Sequence, residues 1–471
     1  MLFASFAYLI FLPVVVALHW LLPRKFRLIF LLLASYYFYM CCVPVFLILI
    51  VAMSLFNWVW GNVLSNATNK KLIFGIGIGV NLLCLGIFKY AGLVCDTLKL
   101  VGLDWHWQLL LPLAISFFTF EFIHYLFEIY RGNPPMKSPV LFCLFAAFFP
   151  TQIAGPIKRY QDFQKQMDEE KPLRLSYFDE GIPLIILGLA KKVLLADNLA
   201  VFVNMGYKMP EAFSSTELWI FAYAFAFQIY FDFSGYTDIA RGSAMLFGYK
   251  IPINFNMPYI ASNISDFWHR WHISLSTWLR DYLFIPIGGS RGSELQTNRN
   301  LLITMTLGGL WHGASWSFMV WGLLHGLALV IHRQFVRLTE KFENLKPFLA
   351  SKIWHIFSIL LTFHVVCIGW VFFRVHEIGT AFGIVRKMVV FNFSSLKHLI
   401  FFTLDYPLVV PCVVIMVATL MLANFPVSWL NERKFFQKTP AIAKAVFSFV
   451  LIVLMVSLLP DHSEPFIYFQ F

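Results

Sequence analysis

Twenty-one consecutive residues, IWHIFSILLTFHVVCIGWVFF at 353–373, contain no Asp, Glu, Lys or Arg. A run of about 20 apolar residues is the length an α-helix needs to cross a bilayer. It is not the sole run of this kind. Comparable apolar stretches, some interrupted by charge as at Lys191, Lys192 and Asp197, occupy 2–22, 28–42, 44–62, 72–88, 109–127, 181–204, 217–233, 301–331, 400–424 and 445–459. In hydrocarbon every backbone polar group must be satisfied within the segment, so such runs fold as helices. The chain is therefore expected to be an all-α polytopic membrane protein with about ten to twelve transmembrane helices, covering 1–471 as one integral domain. Only 13% of its residues are charged, against about a quarter in soluble domains, which excludes a merely enlarged core.

A net charge of +11 would ordinarily raise the question of nucleic acid. Here the basic residues fall largely in short loops beside apolar runs, the pattern that fixes orientation in a membrane. No basic run is interleaved with stacking aromatics, so no nucleic-acid partner is expected and membrane lipids are. The first apolar run lacks preceding basic residues and is followed by Arg24, Lys25 and Arg27. It reads as a retained span with its N-terminus outside, not as a cleaved signal. By the same rule the polar tract 238–300 faces the cytoplasm and the tail at about 460–471 ends outside. PVLFCLFAAFFPTQIAGPIKRYQDFQKQ begins as a span but meets Pro150, Gly155 and Pro156 between two basic flanks, which predicts a re-entrant segment. The seven cysteines show no metal spacing and read as small hydrophobes.

Charge in such a chain needs a reason, and DFWHRWHISLSTWLRDYLFIPIGG at 266–289 is dense with it. Residues 266–281 contain no Gly or Pro and predict one helix, capped by Asn263 or Ser265. Trp268, Trp271, Leu275 and Trp278 would then share a face suited to the membrane interface, with His269, His272 and Ser276 on an adjacent face. Zinc is not expected at His269 and His272. A third ligand is missing, no HExxH pattern occurs, and Arg270 would repel a cation. No metal site is predicted.

His312 lies in the apolar stretch TLGGLWHGASWSFMVWGLLHG, flanked by Gly308, Gly309 and Gly313. An ionisable side chain inside a membrane segment is a functional candidate by default, and small neighbours let a backbone or a substrate approach closely. His19, His124, His325, His355 and His364 read instead as hydrogen-bonding residues of helix packing. YFDFSGYTDIARG places Asp232, Ser234, Tyr236, Asp238 and Arg241 at the expected end of a span. Its carboxylates read as arginine partners capping a helix end, with acid–base work as the rival. Tyr468 in PFIYFQF reads as part of an interfacial aromatic belt.

FFPTQIAGPIKRY, YFDFSGYTDIARG, NFNMPYIASNISDFWHRWHISLSTWLRDYLFIPIGG, RNLL and GGLWHGASWSFMVWGLLHG occur in order within about 145–375. Together these blocks resemble the membrane-bound O-acyltransferase (MBOAT) family, and more narrowly its bacterial alginate O-acetyltransferase branch. The resemblance implies an MBOAT fold with re-entrant segments around a central tunnel. It implies His312 as catalytic histidine and His272 as a second functional histidine near the cytoplasmic mouth. Arg280 and Asp281 match the pair that follows. His269 departs from the family pattern and is given no catalytic part. Asp232, Trp311, Lys158, Arg159, Arg270, Arg280 and Asp281 become candidates for lining the tunnel or holding the donor. The implied donor is acetyl-CoA, a substrate and not a resident cofactor, and the implied place is the bacterial cytoplasmic (inner) membrane. The implied acceptor is an extracytoplasmic glycan, reached through a partner resembling SGNH hydrolases. The aromatic–tyrosine ending resembles small proteins that work beside D-alanyl-transferring relatives, which makes Tyr468 a possible acyl relay. D-alanyl or another acyl group from an acyl carrier protein is an alternative, as are a proton-coupled transporter and a non-catalytic scaffold.

Overall fold

The computed structural model describes residues 3–100, 102–103, 109–390, 439–457 and 465–467. All regular structure among them is helical. Four helical stretches are long and apolar enough to cross a membrane: Pro44–Asn66, Lys70–Lys99, Trp316–Glu340 and Lys352–Arg374. The exteriors of several helices suit lipid and not water: Phe6 is 77% exposed, Ile48 76% and Ile353 77%. The span expected at 400–424 lies outside the described residues, as does Tyr468.

The chain forms two compact units. The first comprises 1–189 and 236–253. It begins with α1 (Phe6–Leu21), α2 (Arg24–Met40), α3 (Leu47–Asn66) and α4 (Lys70–Leu85), the last continuing through a π-helical turn at Gly86–Tyr90 into α5 (Ala91–Leu100). There follow α6 (Ile115–Tyr130), α7 (Pro139–Ala147), α8 (Tyr160–Asp168) and α9 (Leu175–Ala190). Helix α6 is buried along most of its length and packs on α3 and α4. Within the apolar interior Asn57 of α3 and Asn81 of α4 exchange amide hydrogen bonds of 3.1 and 2.8 Å, the polar pairing that holds helices together where apolar contact alone confers little specificity.

The segment 139–166, expected to be re-entrant, opens with a short helix. Helix α7 has nine residues, about 14 Å at 1.5 Å per residue, too short to cross. Residues 148–158 after it are non-helical and buried throughout, the condition under which irregular backbone is tolerated at depth.

The second unit comprises 190–235 and 254–471. A π-helical segment at Lys191–Ala196 leads into α10 (Asp197–Lys208). Helix α11 (Ser215–Leu246) has 32 residues, those from Tyr236 onward belonging to the first unit. The span read as 217–233 thus runs well past its polar cluster. Polar residues end a membrane helix when they need water, and Asp232, Tyr236, Asp238 and Arg241 of this cluster find protein partners instead. Arg241 donates to Asp238 at 3.2 Å as expected, but Asp232 pairs with Lys192 and not with an arginine. After α11 come α12 (Ile264–Arg270), α13 (Ile273–Leu279), α14 (Glu294–His312), α15 (Trp316–Glu340), α16 (Lys346–Leu349), α17 (Lys352–Arg374), α18 (Ile378–Val389) and α19 (Ala441–Ser457).

Candidate active site

The single helix expected over 266–281 is broken at Trp271 and His272. Asn263 caps α12 through a 2.8 Å bond from Asp266 N, as one of the two expected caps, but α12 ends at Arg270. The break is made by a distant segment. Asn256 N donates to Arg270 O and Ile273 N donates to Asn254 O, both at 3.0 Å. The Asn254 carboxamide oxygen then accepts from Ser274 N at 3.2 Å and from its hydroxyl at 2.6 Å. These bonds replace the intrahelical ones. His272 takes up the resulting turn with φ 42° and ψ 55°, a left-handed conformation that costs a non-glycine residue about 1–2 kcal/mol. Strain of this order persists where surroundings over-determine it, commonly at functional sites.

The kink separates the two histidines expected to share a face. His269 is exposed, its Nδ1 within 2.7 Å of Ser265 O. His272 is fully buried. The tryptophans do not form an interfacial face either: Trp271 is fully buried and Trp268 and Trp278 nearly so. Trp271 packs on Phe255 at 5.0 Å and on Trp370 of α17 at 4.8 Å between ring centroids. An extended membrane-interface stripe has become interior packing.

His312 ends α14, where Gly313 leaves the helix in extended backbone and Ser315 caps α15 by accepting from Phe318 N. The two helices cross in close contact because Gly309 and Gly322 lack side chains. A Cβ at Gly309 would overlap the Phe318 carbonyl oxygen, and one at Gly322 would overlap the Met305 carbonyl. This approach, of the small-residue kind, turns His312 inward. Its ring lies 5.0 Å from Trp311, 5.0 Å from Trp321 and 5.2 Å from Phe373. The His272 ring lies 6.4 Å from it, and also 4.8 Å from Phe233 and 6.0 Å from Trp311. Two imidazoles forty residues apart in sequence thus share one cluster of aromatic rings, with 4% and 0% of their surface exposed.

A third imidazole adjoins them. His325, read from sequence as packing, is fully buried, 4.8 Å from Trp321 and 5.2 Å from Trp268. Among the described residues, no hydrogen-bond partner contacts its two ring nitrogens or the indole nitrogens of Trp268, Trp321 and Trp370. The sequence signal for this aromatic wall was thin, because tryptophans in apolar helices look alike whichever way they face.

Asp232 is placed in a different cluster of the second unit. Its Oδ1 is 2.7 Å from Lys192 Nζ, which also lies 2.8 Å from Asp197 Oδ1, and its Oδ2 accepts from Ile467 N at 2.7 Å. Lys192 and Asp197 are charges in an apolar run, the usual mark of an intramembrane site, yet the pairing of Lys192 with Asp232 crosses forty residues.

Of the cations expected to meet a phosphorylated donor, Lys158 is corrected most. It is 4% exposed, donates to Glu121 at 2.7 Å and to Thr151 at 2.9 Å, and lies over the Phe145 ring. Its charge is spent inside the first unit. Arg159 stands at the N-terminus of α8, half-buried. Arg270 is held by Asp266 at 2.8 Å, and Arg280 by Asp281 at 2.8 Å, with 58% of the Arg280 side chain exposed. Arg280 and Asp281 open a π-helical turn, Arg280–Phe284, following α13. Such turns recur at functional sites.

The described residues contain no group of three or more His, Cys, Asp or Glu able to hold a metal ion. An imidazole can both accept and donate a proton, and two lie buried here among aromatic rings.

The profile of the membrane-bound O-acyltransferase family matches residues 130–373. The chain is 37% identical to the "Probable alginate O-acetylase" of Pseudomonas aeruginosa, over 93% of this chain and 83% of that protein. It is 39% identical to the "Peptidoglycan O-acetyltransferase" of Helicobacter pylori, over 79% of this chain and 76% of that one. A "Teichoic acid D-alanyltransferase" of Bacillus subtilis is 32% identical, over 55% of this chain and 68% of that one.

Proposed function

The chain belongs to the membrane-bound O-acyltransferase family, and from that premise we propose that it moves an acetyl group from cytoplasmic acetyl-CoA across the cytoplasmic membrane for O-acetylation of an extracytoplasmic glycan. It is a multi-pass membrane enzyme, an O-acyltransferase, which sets aside the transporter and scaffold readings. The observation that carries the finer reading is the 6.4 Å approach of the His272 and His312 rings among buried aromatic side chains.

In this reading His312 is the general base. One of its ring nitrogens takes the proton of an acceptor hydroxyl as the hydroxyl oxygen attacks the thioester carbonyl. The carbon–sulfur bond breaks, an oxygen ester forms, and the proton passes to the departing CoA thiolate. His272 orients the thioester from the cytoplasmic side. Trp311, Trp321 and Phe373 exclude water, which would otherwise hydrolyse the thioester. Arg280, the most open of the candidate cations on the α12–α13 segment, binds donor phosphates, assisted by Arg270. Tyr468 on the exoplasmic tail serves as acceptor, its phenol oxygen taking the acetyl group, and a partner resembling SGNH hydrolases passes it to the glycan.

Protein in proteoliposomes supplied with radiolabelled acetyl-CoA tests this. We expect His312→Ala to lower transfer about 10²–10⁴-fold, the range for a lost general base, and Arg280→Glu to raise KM for acetyl-CoA roughly fivefold, the scale of an exposed ion pair. Equal CoA release by wild type and His312→Ala would refute the assignment. A second reading, transfer of D-alanyl from a carrier protein, rests on the similarity to the Bacillus subtilis protein. It predicts turnover with D-alanyl carrier protein and none with acetyl-CoA.

A further inference from the structure

The cluster around Lys192 is singled out by its two carboxylates. One ammonium faces two carboxylates, Asp197 and Asp232, and all three side chains are at most 2% exposed. A neutral pair would be complete. The second carboxylate gives Lys192 one acceptor more than a simple pair has, and buried carboxylate oxygens demand further donors. The Ile467 amide supplies one, donating to Asp232 Oδ2 at 2.7 Å. Beside it the Phe466 ring lies under Lys192 Nζ, 4.6 Å from centroid to nitrogen, in cation–π contact. Phe466 and Ile467 are almost wholly buried. The remaining space, about 20 Å³, is lined by Lys192, Asn204, Gln228, Asp232 and Arg374, among others. That is room for about one water. Lys192 itself sits in the π-helical segment Lys191–Ala196, whose wider turn is a local departure from the helix on either side.

We propose that Asp232 is a positioning residue: with Lys192 and Asp197 it docks the segment Pro465–Ile467, and acyl transfer through the neighbouring Tyr468 depends on that dock. This rests on the reading of Tyr468 as acceptor given above. The recognition is specific in kind. A carboxylate reads the backbone N–H of residue 467, whatever its side chain, and a cation reads an aromatic face at 466. Neither group touches the reacting atoms, so neither is catalytic.

The test uses the full chain in lipid nanodiscs, with two variants that remove opposite halves of one hydrogen bond. Asp232→Asn can keep a carbonyl toward Lys192 or toward Ile467, not both. Ile467→Pro leaves the carboxylate intact and deletes the N–H. Amide exchange in a peptide covering the segment should accelerate roughly 10- to 100-fold in Asp232→Asn, the scale of a hydrogen bond to a charged group, and not in Asp197→Asn, which leaves the Ile467 acceptor in place. Transfer of label to the chain should fall by the same factor in Asp232→Asn and Ile467→Pro, and no further when both are combined. Unchanged exchange in Asp232→Asn, or losses of transfer that multiply in the double variant, would overturn the proposal. The exchange arm reads docking whether or not the chain transfers acyl groups. Accelerated exchange in Asp232→Asn together with a wild type that takes no label therefore indicts the acceptor reading, and with it the positioning role, but not the dock.

Discussion

Lys158 and Lys192 are both buried lysines, 4% and 2% exposed, yet they are solved differently. Lys158 meets one carboxylate, Glu121, and one hydroxyl, Thr151, with the Phe145 and Phe163 rings at 5.1 and 5.7 Å from its ammonium. Charge cancels and the remaining donor capacity is absorbed locally, inside the first unit. Lys192 meets two carboxylates and a ring that belongs to a segment 270 residues away in the chain. Its surplus carboxylate is answered by a backbone amide of that segment. A closed pair braces a fold. A pair with an extra acceptor can also hold something, because the acceptor is satisfied only when the donor is docked.

The comparison is most severely tested at Lys158. Lys158→Met leaves Glu121 buried without its partner and should cost about 3–5 kcal/mol, read as a lowered unfolding midpoint in detergent. The double variant Lys158→Met/Glu121→Leu should recover most of the loss, as expected of a self-contained pair. If the double variant is as unstable as the single one, Lys158 does more than balance Glu121. Asp197→Asn should cost less, about 2 kcal/mol, since Lys192 keeps Asp232 and the Ile467 bond survives. A loss equal to that of Lys158→Met would mean that the two carboxylates are not divided between bracing and docking. Smallest is Thr151→Val, which removes one hydroxyl acceptor from Lys158 and should shift stability by about 1 kcal/mol with acyl transfer unaltered. A change in transfer at this position would link the closed pair to the reaction and dissolve the distinction.

The helical, membrane-embedded class was legible because hydrocarbon permits few solutions for a long apolar run. The stop after α7 was legible in Pro150, Gly155 and Pro156 for a related reason: a helix that cannot continue at depth must be covered by protein. His312 stood out as an ionisable group in an apolar segment with glycines beside it, and Gly309 does turn out to lie where a Cβ would strike Phe318. His272 was found through its block resemblance and for a geometric reason that was mistaken. The heptad-like spacing of Trp268, Trp271 and Trp278 fits a straight helix, whereas hydrogen bonds from Asn254 and Asn256 break it between them. Lys158 turns inward toward Glu121, and a basic run in sequence carries no mark of which member does so. His325 was passed over because its aromatic neighbours arrive from α12 and α17.

The sequence by itself determined the kind of solvent this protein lives in, the helical class that follows, and the blocks that mark its family. Those properties depend on composition and on short-range periodicity, which the chain states directly. The tertiary structure alone decided which charges are spent on one another, that His272 and His312 share one cluster of aromatic rings, and that Asp232 receives the amide of Ile467 instead of capping a helix. Each of these depends on contacts between segments tens to hundreds of residues apart. Side chains and backbone amides form such contacts only once packing has brought them within about 3 Å, and no local pattern records that distance.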